Sequence, residues 1–258
     1  MAFVGTTIDV PSGSNLEPYF AQMTNGESVR LRLERGGTFP GDVRYSQAGG
    51  GPLYTHIIQA GPGSGPLPIL TGEFQIGIQA TPIDGLTVKD LQFTYRGPKV
   101  LGSGKRLKLR GLVVGGFQGI TVEAEGGLRW NDVTVSRCRV LDINQPAAEH
   151  AQGMYFFACD NLKIVDNVVD HAVAPIDTFC HHVYVQNGCT GVIIRRNIFS
   201  RSSSHAVQMR PGGDCSQNVV YNCPIGILCG GGTAREAGGV IANVHDNLVI
   251  GGGDIDPN

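Results

Sequence analysis

Two segments with similar residues contain side chains suited to acid–base chemistry, HHVYVQNG at residues 181–188 and HAVQMRPG at residues 205–212. A histidine can remove a proton, a tyrosine can donate one, and an arginine can neutralise a carboxylate through two parallel hydrogen bonds. β-Elimination beside a carboxylate needs all three groups, because the α-proton becomes acidic only when the carboxylate charge is neutralised. We therefore predict that His182 is the base, Tyr184 the acid and Arg210 the neutralising cation of one site.

These residues can meet only if the chain returns to the same place at regular intervals. Seven segments alternate apolar and polar residues and share a turn position, which is occupied by Leu91, Leu112, Cys138, Asn167, Asn197, Asn218 and Asn247. Successive turn positions are 21 to 30 residues apart, a length typical of one turn of a β-solenoid. We expect the four asparagines to stack as a hydrogen-bonded ladder at a tight bend.

A second series of strands predicts which side chains face outward. In GITVEAE, GMYFFAC, HVYVQNG and AVQMRPG apolar residues alternate, so Ile120, Met154, Val183 and Val207 are expected in the core. The remaining positions stack in three outward rows. These rows are Thr121, Tyr155, Tyr184, Gln208 and Leu228; Glu123, Phe157, Gln186, Arg210 and Gly230; and Gly119, Gly153, His182, Ala206 and Gly226.

The outward rows also supply predicted substrate-binding residues. Aromatic faces pack on sugar rings, and amide groups hydrogen-bond to sugar hydroxyls. The predicted substrate-binding residues are Tyr155, Phe157, Gln186, Gln208 and Glu123. His181 and His205 occupy equivalent positions one turn apart, and we expect both in the interior or at the bend.

The repeat resembles the coils of right-handed parallel β-helix proteins, the pectate-lyase-like superfamily that includes polysaccharide lyases and phage tailspike depolymerases. The resemblance covers residues 80–250, and the segment IDVPSGSNLEPYFAQMTNGESVRLRLERGGTFPGD is similar to the beginning of such proteins. It implies an all-β fold, a right-handed parallel β-helix or β-solenoid with a short N-terminal capping helix. A single domain is expected over residues 1–258.

The sequence predicts a cap at the N-terminal end of this domain and none at the C-terminal end. Residues 1–45 predict an N-terminal strand and a cap, with a helix that begins after Ser14 or Asn15 and continues through Gln22. After the last coil comes GGGDIDPN, with no amphipathic helix or polar repeat to cover the apolar stack. The sequence leaves open whether the β-helix is incomplete at its C-terminus.

The resemblance implies a carbohydrate-active protein whose partner is a polysaccharide. The candidate catalytic residues favour a polysaccharide lyase that cleaves uronate-containing glycans by β-elimination. One alternative is a non-catalytic polysaccharide-binding or structural β-helix, such as a surface adhesin or a phage tailspike. The sequence leaves a homo-oligomer open, which would be a trimer if the protein were a phage spike. The other alternative is a glycoside hydrolase, which needs a second carboxylate near Glu123, from Glu149 or Asp177.

The sequence leaves open whether the protein binds calcium. Many pectate-lyase-like enzymes use calcium held by acidic residues on the strand face, but the predicted face carries only Glu123. Asp160, Asp166 and Asp170 belong to neighbouring turns, where solvated carboxylates are common. We assign no metal ligand and no definite cofactor.

Charge and composition indicate neither a nucleic-acid nor a membrane partner. The formal net charge is −2, the pI is about 6.4, and no apolar stretch reaches membrane-spanning length. The seven cysteines form no CxxC motif, and their odd number argues against a complete disulfide framework. The opening residues MAFVGTTIDVPSG lack a signal peptide pattern, and the expected location is extracellular or virion-associated.

Overall fold

The strands of the computed structural model wind around one axis in about eight turns and form three parallel sheets, here called sheets A, B and C. The structure describes residues 3–23, 26–46, 51, 53–78, 81–145, 150–174, 179–231 and 239–252. Strands from successive turns pair side by side in every sheet. The prediction of an all-β parallel β-helix is therefore confirmed.

The strand bounds follow the order of the turns. Sheet A contains β1 (Thr6–Val10), β2 (Val29–Leu33), β5 (His56–Ala60), β8 (Ile83–Lys89), β11 (Gly104–Arg110), β14 (Trp130–Asn131), β15 (Thr134–Ser136), β18 (Cys159–Asp160), β19 (Lys163–Val165), β22 (Ile193–Arg195), β25 (Gly213–Ser216) and β28 (Ala242–His245). Sheet B contains β3 (Thr38–Phe39), β6 (Ile69–Leu70), β9 (Gln92–Phe93), β12 (Val113–Gly116), β16 (Arg139–Asn144), β20 (Val168–Val173), β23 (Ile198–Ser202), β26 (Val219–Tyr221) and β29 (Leu248–Ile250). Sheet C contains β4 (Val43–Tyr45), β7 (Phe74–Ile76), β10 (Lys99–Val100), β13 (Ile120–Glu123), β17 (Gln152–Phe157), β21 (His181–Val185), β24 (His205–Met209) and β27 (Ile225–Cys229).

The core lies inside the coil and consists of stacked apolar columns. In sheet C the predicted inward residues Ile120, Met154, Val183 and Val207 are fully buried and occupy consecutive strands in register. Burying one such side chain is worth about 1.5–3 kcal/mol. No single turn could bury these residues alone, so the stack of turns is the stable unit.

An asparagine ladder fixes the corner between sheets A and B. Asn197 Oδ1 accepts hydrogen bonds from the backbone N–H and the side-chain amide of Asn167, at 2.9 and 3.0 Å. Asn218 Oδ1 accepts the same two hydrogen bonds from Asn197, and Asn247 Oδ1 accepts them from Asn218. The ladder also reaches the turn before, where the Cys138 N–H donates to Asn167 Oδ1 at 2.9 Å. The predicted ladder is confirmed.

The N-terminal turns contain more structure than the sequence pattern indicated. Helix α1 (Glu17–Phe20) is shorter than the predicted helix through Gln22, although the side chain of Asn15 does accept a hydrogen bond from the Glu17 N–H, at 3.0 Å. Phe20 is buried against Tyr45, with ring centroids 5.5 Å apart, so the helix covers the first turns. Strands β2 to β7 show that regular turns precede residue 80.

Residues 253–258, on which the question of an incomplete stack depends, lie outside the described residues. In the parts of the chain that are described, no helix has the length and hydropathy required to cross a bilayer.

Candidate functional site

The predicted central row of sheet C is an outward column. Thr121, Tyr155, Tyr184, Gln208 and Leu228 are direct partners in successive strand pairs. Neighbouring strands are about 4.8 Å apart, so these side chains are vertical neighbours. The predicted stacking of Tyr155, Tyr184 and Gln208 one above another is confirmed.

Tyr184 stands at the centre of the candidate site. Its ring centroid is 4.7 Å from that of His181 and 5.6 Å from that of Tyr155. The guanidinium carbon of Arg210 lies over the same ring, 5.1 Å from its centroid. A phenol, an imidazole and a guanidinium therefore lie within contact distance on the outer side of the sheet.

The outward orientation predicted for His182 is wrong. Its side chain is fully buried, with the ring 6.2 Å from Phe199 and Nδ1 4.0 Å from Cys223 Sγ. At the equivalent position one turn earlier, a Cβ atom on Gly153 would come within 2.7 Å of Val169. Because Phe199 and Val169 are core residues of sheet B, this row fills the interior corner between sheets B and C. Burial lowers the pKa of His182 to about 3, so the ring is neutral.

His181 occupies the place beside Tyr184 instead. It is buried, as expected, but its ring stacks on Tyr184 with an interplanar angle of 15°, and therefore faces the outer column and not the core. His205 stacks on His181 at 4.6 Å, and the Ser204 hydroxyl is 2.8 Å from His205 Nδ1. The two histidines continue a polar column that begins with Gln152.

The environment of His181 keeps it neutral at physiological pH. Burial, reinforced by the charge of His205, lowers the pKa of His181 to about 4, although hydrogen bonds to Gln208 and to the Phe179 backbone oppose the shift. Burial also lowers the pKa of His205. The neutral imidazole can accept a proton, although its lowered pKa makes it a weaker base than a free imidazole.

The two tyrosines keep their protons for a similar reason. Burial raises the pKa of Tyr184, and the charge of Arg210 and a hydrogen bond to Gln186 oppose this shift. Burial raises the pKa of Tyr155 to about 12, with a further increase from the charge of Glu123. Tyr184 is thus a protonated phenol whose phenolate form would be stabilised by the adjacent guanidinium.

Arg210 is held at the end of β24 by the predicted turn. The Gly212 N–H donates to the Met209 carbonyl at 3.3 Å, and Gly212 has a φ of 79°, a conformation that favours glycine. Arg210 Nε is buried and has no hydrogen-bond partner among the described residues, which also offer it no ion pair. A buried donor without a partner is unusual and indicates capacity for an anionic ligand.

The remaining predicted residues lie along the edge of the same face. Glu123 and Phe157 are direct partners in neighbouring strands, and the Gln186 side chain accepts a hydrogen bond from the Asn187 N–H at 3.0 Å. Glu123 lines a cavity of about 400 Å³ with Gln75, Ile78, Lys99, Leu101, Gly102 and Glu125. Burial raises the pKa of Glu123, while Lys99 opposes the shift.

The aspartates considered for calcium are already engaged. Asp160 pairs with Arg129 at 2.5 Å, Asp166 pairs with Arg196 at 2.7 Å, and Asp170 pairs with Arg201 and accepts a hydrogen bond from Ser200. Among the described residues, no group of three acidic, histidine or cysteine side chains could hold a metal ion. Asp177 and Glu149 lie outside the described residues.

The fold is similar to that of a solved enzyme. The crystal structure of an alginate lyase from Paenibacillus sp. str. FPU-7 covers 96% of this chain and 97% of its own, with a TM-score of 0.61 and 14% sequence identity. At this identity the likeness shows a shared β-helix fold. No protein-family model and no curated protein matches the sequence.

Proposed function

We propose that the protein is a polysaccharide lyase that cleaves a uronate-containing glycan by β-elimination. The observation that carries the proposal is the position of Tyr184 between His181 and Arg210, at 4.7 and 5.1 Å. The shared fold with an alginate lyase supports a uronate as the substrate class. A polymeric substrate also supports an extracellular location.

Each residue has one role in the proposed reaction. Arg210 pairs with the uronate carboxylate, and the neutral His181 removes the α-proton. The electron pair forms a double bond to the neighbouring carbon, whose bond to the glycosidic oxygen breaks. Tyr184 gives its proton to that oxygen, and transfer of the proton from His181 to the Tyr184 phenolate through solvent restores the starting state.

This assignment replaces His182 by His181 as the base. The fully buried His182 lies on the inner side of the sheet, whereas His181 stacks on the proposed acid. The roles of Tyr184 and Arg210 remain as predicted from the sequence, with Tyr155 and Gln208 as the neighbouring sugar-binding residues in the outward column.

The test is the ultraviolet absorbance of the unsaturated uronate that elimination creates. Purified protein is incubated with alginate, polygalacturonate and glucuronate-containing polymers, and Arg210→Ala and His181→Gln serve as comparison variants. We expect a rise with at least one polymer that both substitutions greatly reduce. Binding without any rise would favour the non-catalytic polysaccharide-binding or structural alternative, and size measurement would then show whether the protein is a trimer, as the spike alternative requires.

A glycoside hydrolase is the second candidate. Glu123 and Glu125 line the same cavity, and the raised pKa of Glu123 suits a general acid. New reducing ends without ultraviolet absorbance, lost in Glu123→Gln and retained in Arg210→Ala, would favour hydrolysis over elimination.

A further inference from the structure

The outer face of sheet A is strongly cationic in its middle turns. The last three residues of five consecutive strands, β8, β11, β15, β19 and β22, place ten side chains on this face. They are Thr87, Lys89, Lys108, Arg110, Thr134, Ser136, Lys163, Val165, Ile193 and Arg195. Five of the ten are cations and none is an acid, although the whole chain has a net charge of −2.

Most of these cations have no ionic partner within the described part of the chain. Lys89, Lys108, Arg110 and Lys163 form no ion pair there, and Arg195 donates a hydrogen bond to Gln217 at 3.0 Å. Arg106, nearer the start of β11, behaves differently, since it pairs with Asp84 at 2.6 Å. These five side chains therefore place positive charge along the strand face, most of it without an acidic partner among the described residues.

A groove on this face combines three cations and three threonine hydroxyls with one carboxylate, that of Asp132. Its volume is about 300 Å³, and its lining consists of Thr55, Thr87, Arg106, Lys108, Asp132, Thr134 and Lys163. Lys108 and Lys163 are both partners of Thr134, on opposite sides, so their backbones are about 10 Å apart, two strand spacings. In a flat uronate chain, alternate sugars present their carboxylates to the same side, so two cations separated by one threonine suit two such carboxylates.

We propose that this groove is a second binding site, in which a polyuronate chain lies along the solenoid axis on sheet A. Lys108 and Lys163 pair with carboxylates, and Thr87 and Thr134 hydrogen-bond to sugar hydroxyls. The choice of a uronate as the ligand rests on the proposed function. The site is separate from the residues around Tyr184, and its role is to hold a long polymer on the enzyme.

The test is retardation in native gels that contain alginate, in an Arg210→Ala background that prevents depolymerisation. Lys108→Gln/Lys163→Gln removes two charges from the groove, and Lys105→Gln/Arg139→Gln removes two charges outside its lining, one on β11 and one on β16. We expect the groove variant to bind about tenfold more weakly, because charge-assisted hydrogen bonds are lost, and the control variant to bind as the background does. Equal retardation of the two double variants would overturn the proposal.

Two further measurements test the ligand class and the lyase activity separately. A neutral dextran gel should retard no variant, and single-stranded DNA should bind weakly. DNA binding as tight as alginate binding, lost in the same double variant, would overturn the choice of a uronate and assign the face to polyanions in general. Turnover of short oligouronates by Lys108→Gln/Lys163→Gln should remain unchanged. If the unsubstituted protein showed no turnover, the proposed lyase activity would be contradicted, and the gel result on polymer binding would still hold.

Discussion

Sheets A and C come from the same turns of one chain, yet their outer faces differ in chemistry. The sheet C face around Tyr184 is aromatic and mostly buried, with 7% of Tyr184 and 3% of His181 exposed, and it carries the guanidinium of Arg210, which has no ionic partner among the described residues. The sheet A face contains an open groove and exposes Lys108, Arg110 and Lys163. Burial on sheet C shifts pKa values, as a reaction centre requires, whereas exposed charge on sheet A suits capture of a polymer.

The largest expected effect comes from substituting one arginine on each face and comparing the loss of activity. Arg210→Ala should lower kcat/KM on a short oligouronate by about 100- to 1000-fold, the typical cost of removing one group that stabilises developing charge. Arg195→Ala on sheet A, whose side chain bonds only Gln217 among the described residues, should leave it unchanged. Steady-state kinetics on purified variants provide the comparison, and an equal loss in both variants would remove the distinction between the faces.

A substitution in the asparagine ladder should lower the stability of the whole β-helix, and so affect both faces together. Asn197→Ala leaves the Ile164 carbonyl and the Asn167 N–H without their partners in a buried environment, at a cost of about 3 kcal/mol in the free energy of unfolding. The exposed Asn243, which bonds Asp214 at 3.1 Å, is the matched control, and Asn243→Ala should cost less than about 0.5 kcal/mol. Urea denaturation measures both, and similar midpoints would contradict a structural ladder.

The ladder and the outward column were predictable because both depend on one strong signal, the spacing of the repeat. The turns before residue 80 were not recognised, since they lack ladder asparagines and bury a Tyr45–His56 hydrogen bond of 2.7 Å instead. Strict alternation gave the wrong orientation for His182, because the chain bends where it enters sheet C. A signal for this bend was present: a row of Gly119, Gly153, Ala206 and Gly226 is typical of a crowded interior corner.

The acid–base residues of sheet C should give the reaction a distinctive pH profile. Burial lowers the pKa of His181 from its ordinary 6.5 to about 4, so the proposed base is neutral above that pH and protonated below it. We expect kcat/KM to fall about tenfold per pH unit below pH 4. On the alkaline side kcat/KM should stay constant past 10.0, the ordinary pKa of tyrosine, because burial raises the pKa of Tyr184. A decline that begins near pH 6.5 would mean that a more exposed histidine is the base.

The smallest expected effect is that of ionic strength on turnover at sheet C. Its effect on polymer binding at sheet A should be clear. The screening length falls from about 10 Å at 0.1 M salt to about 3 Å at 1 M, which weakens exposed charge pairs more than buried ones. Arg210 is partly buried, so kcat/KM on short oligouronates should change by less than about threefold across this range. Retardation by alginate should decrease strongly, because Lys108 and Lys163 are exposed. If turnover of short substrates were as sensitive to salt as polymer binding, both would depend on exposed charge, and sheet C would not be the desolvated site that its pKa shifts indicate.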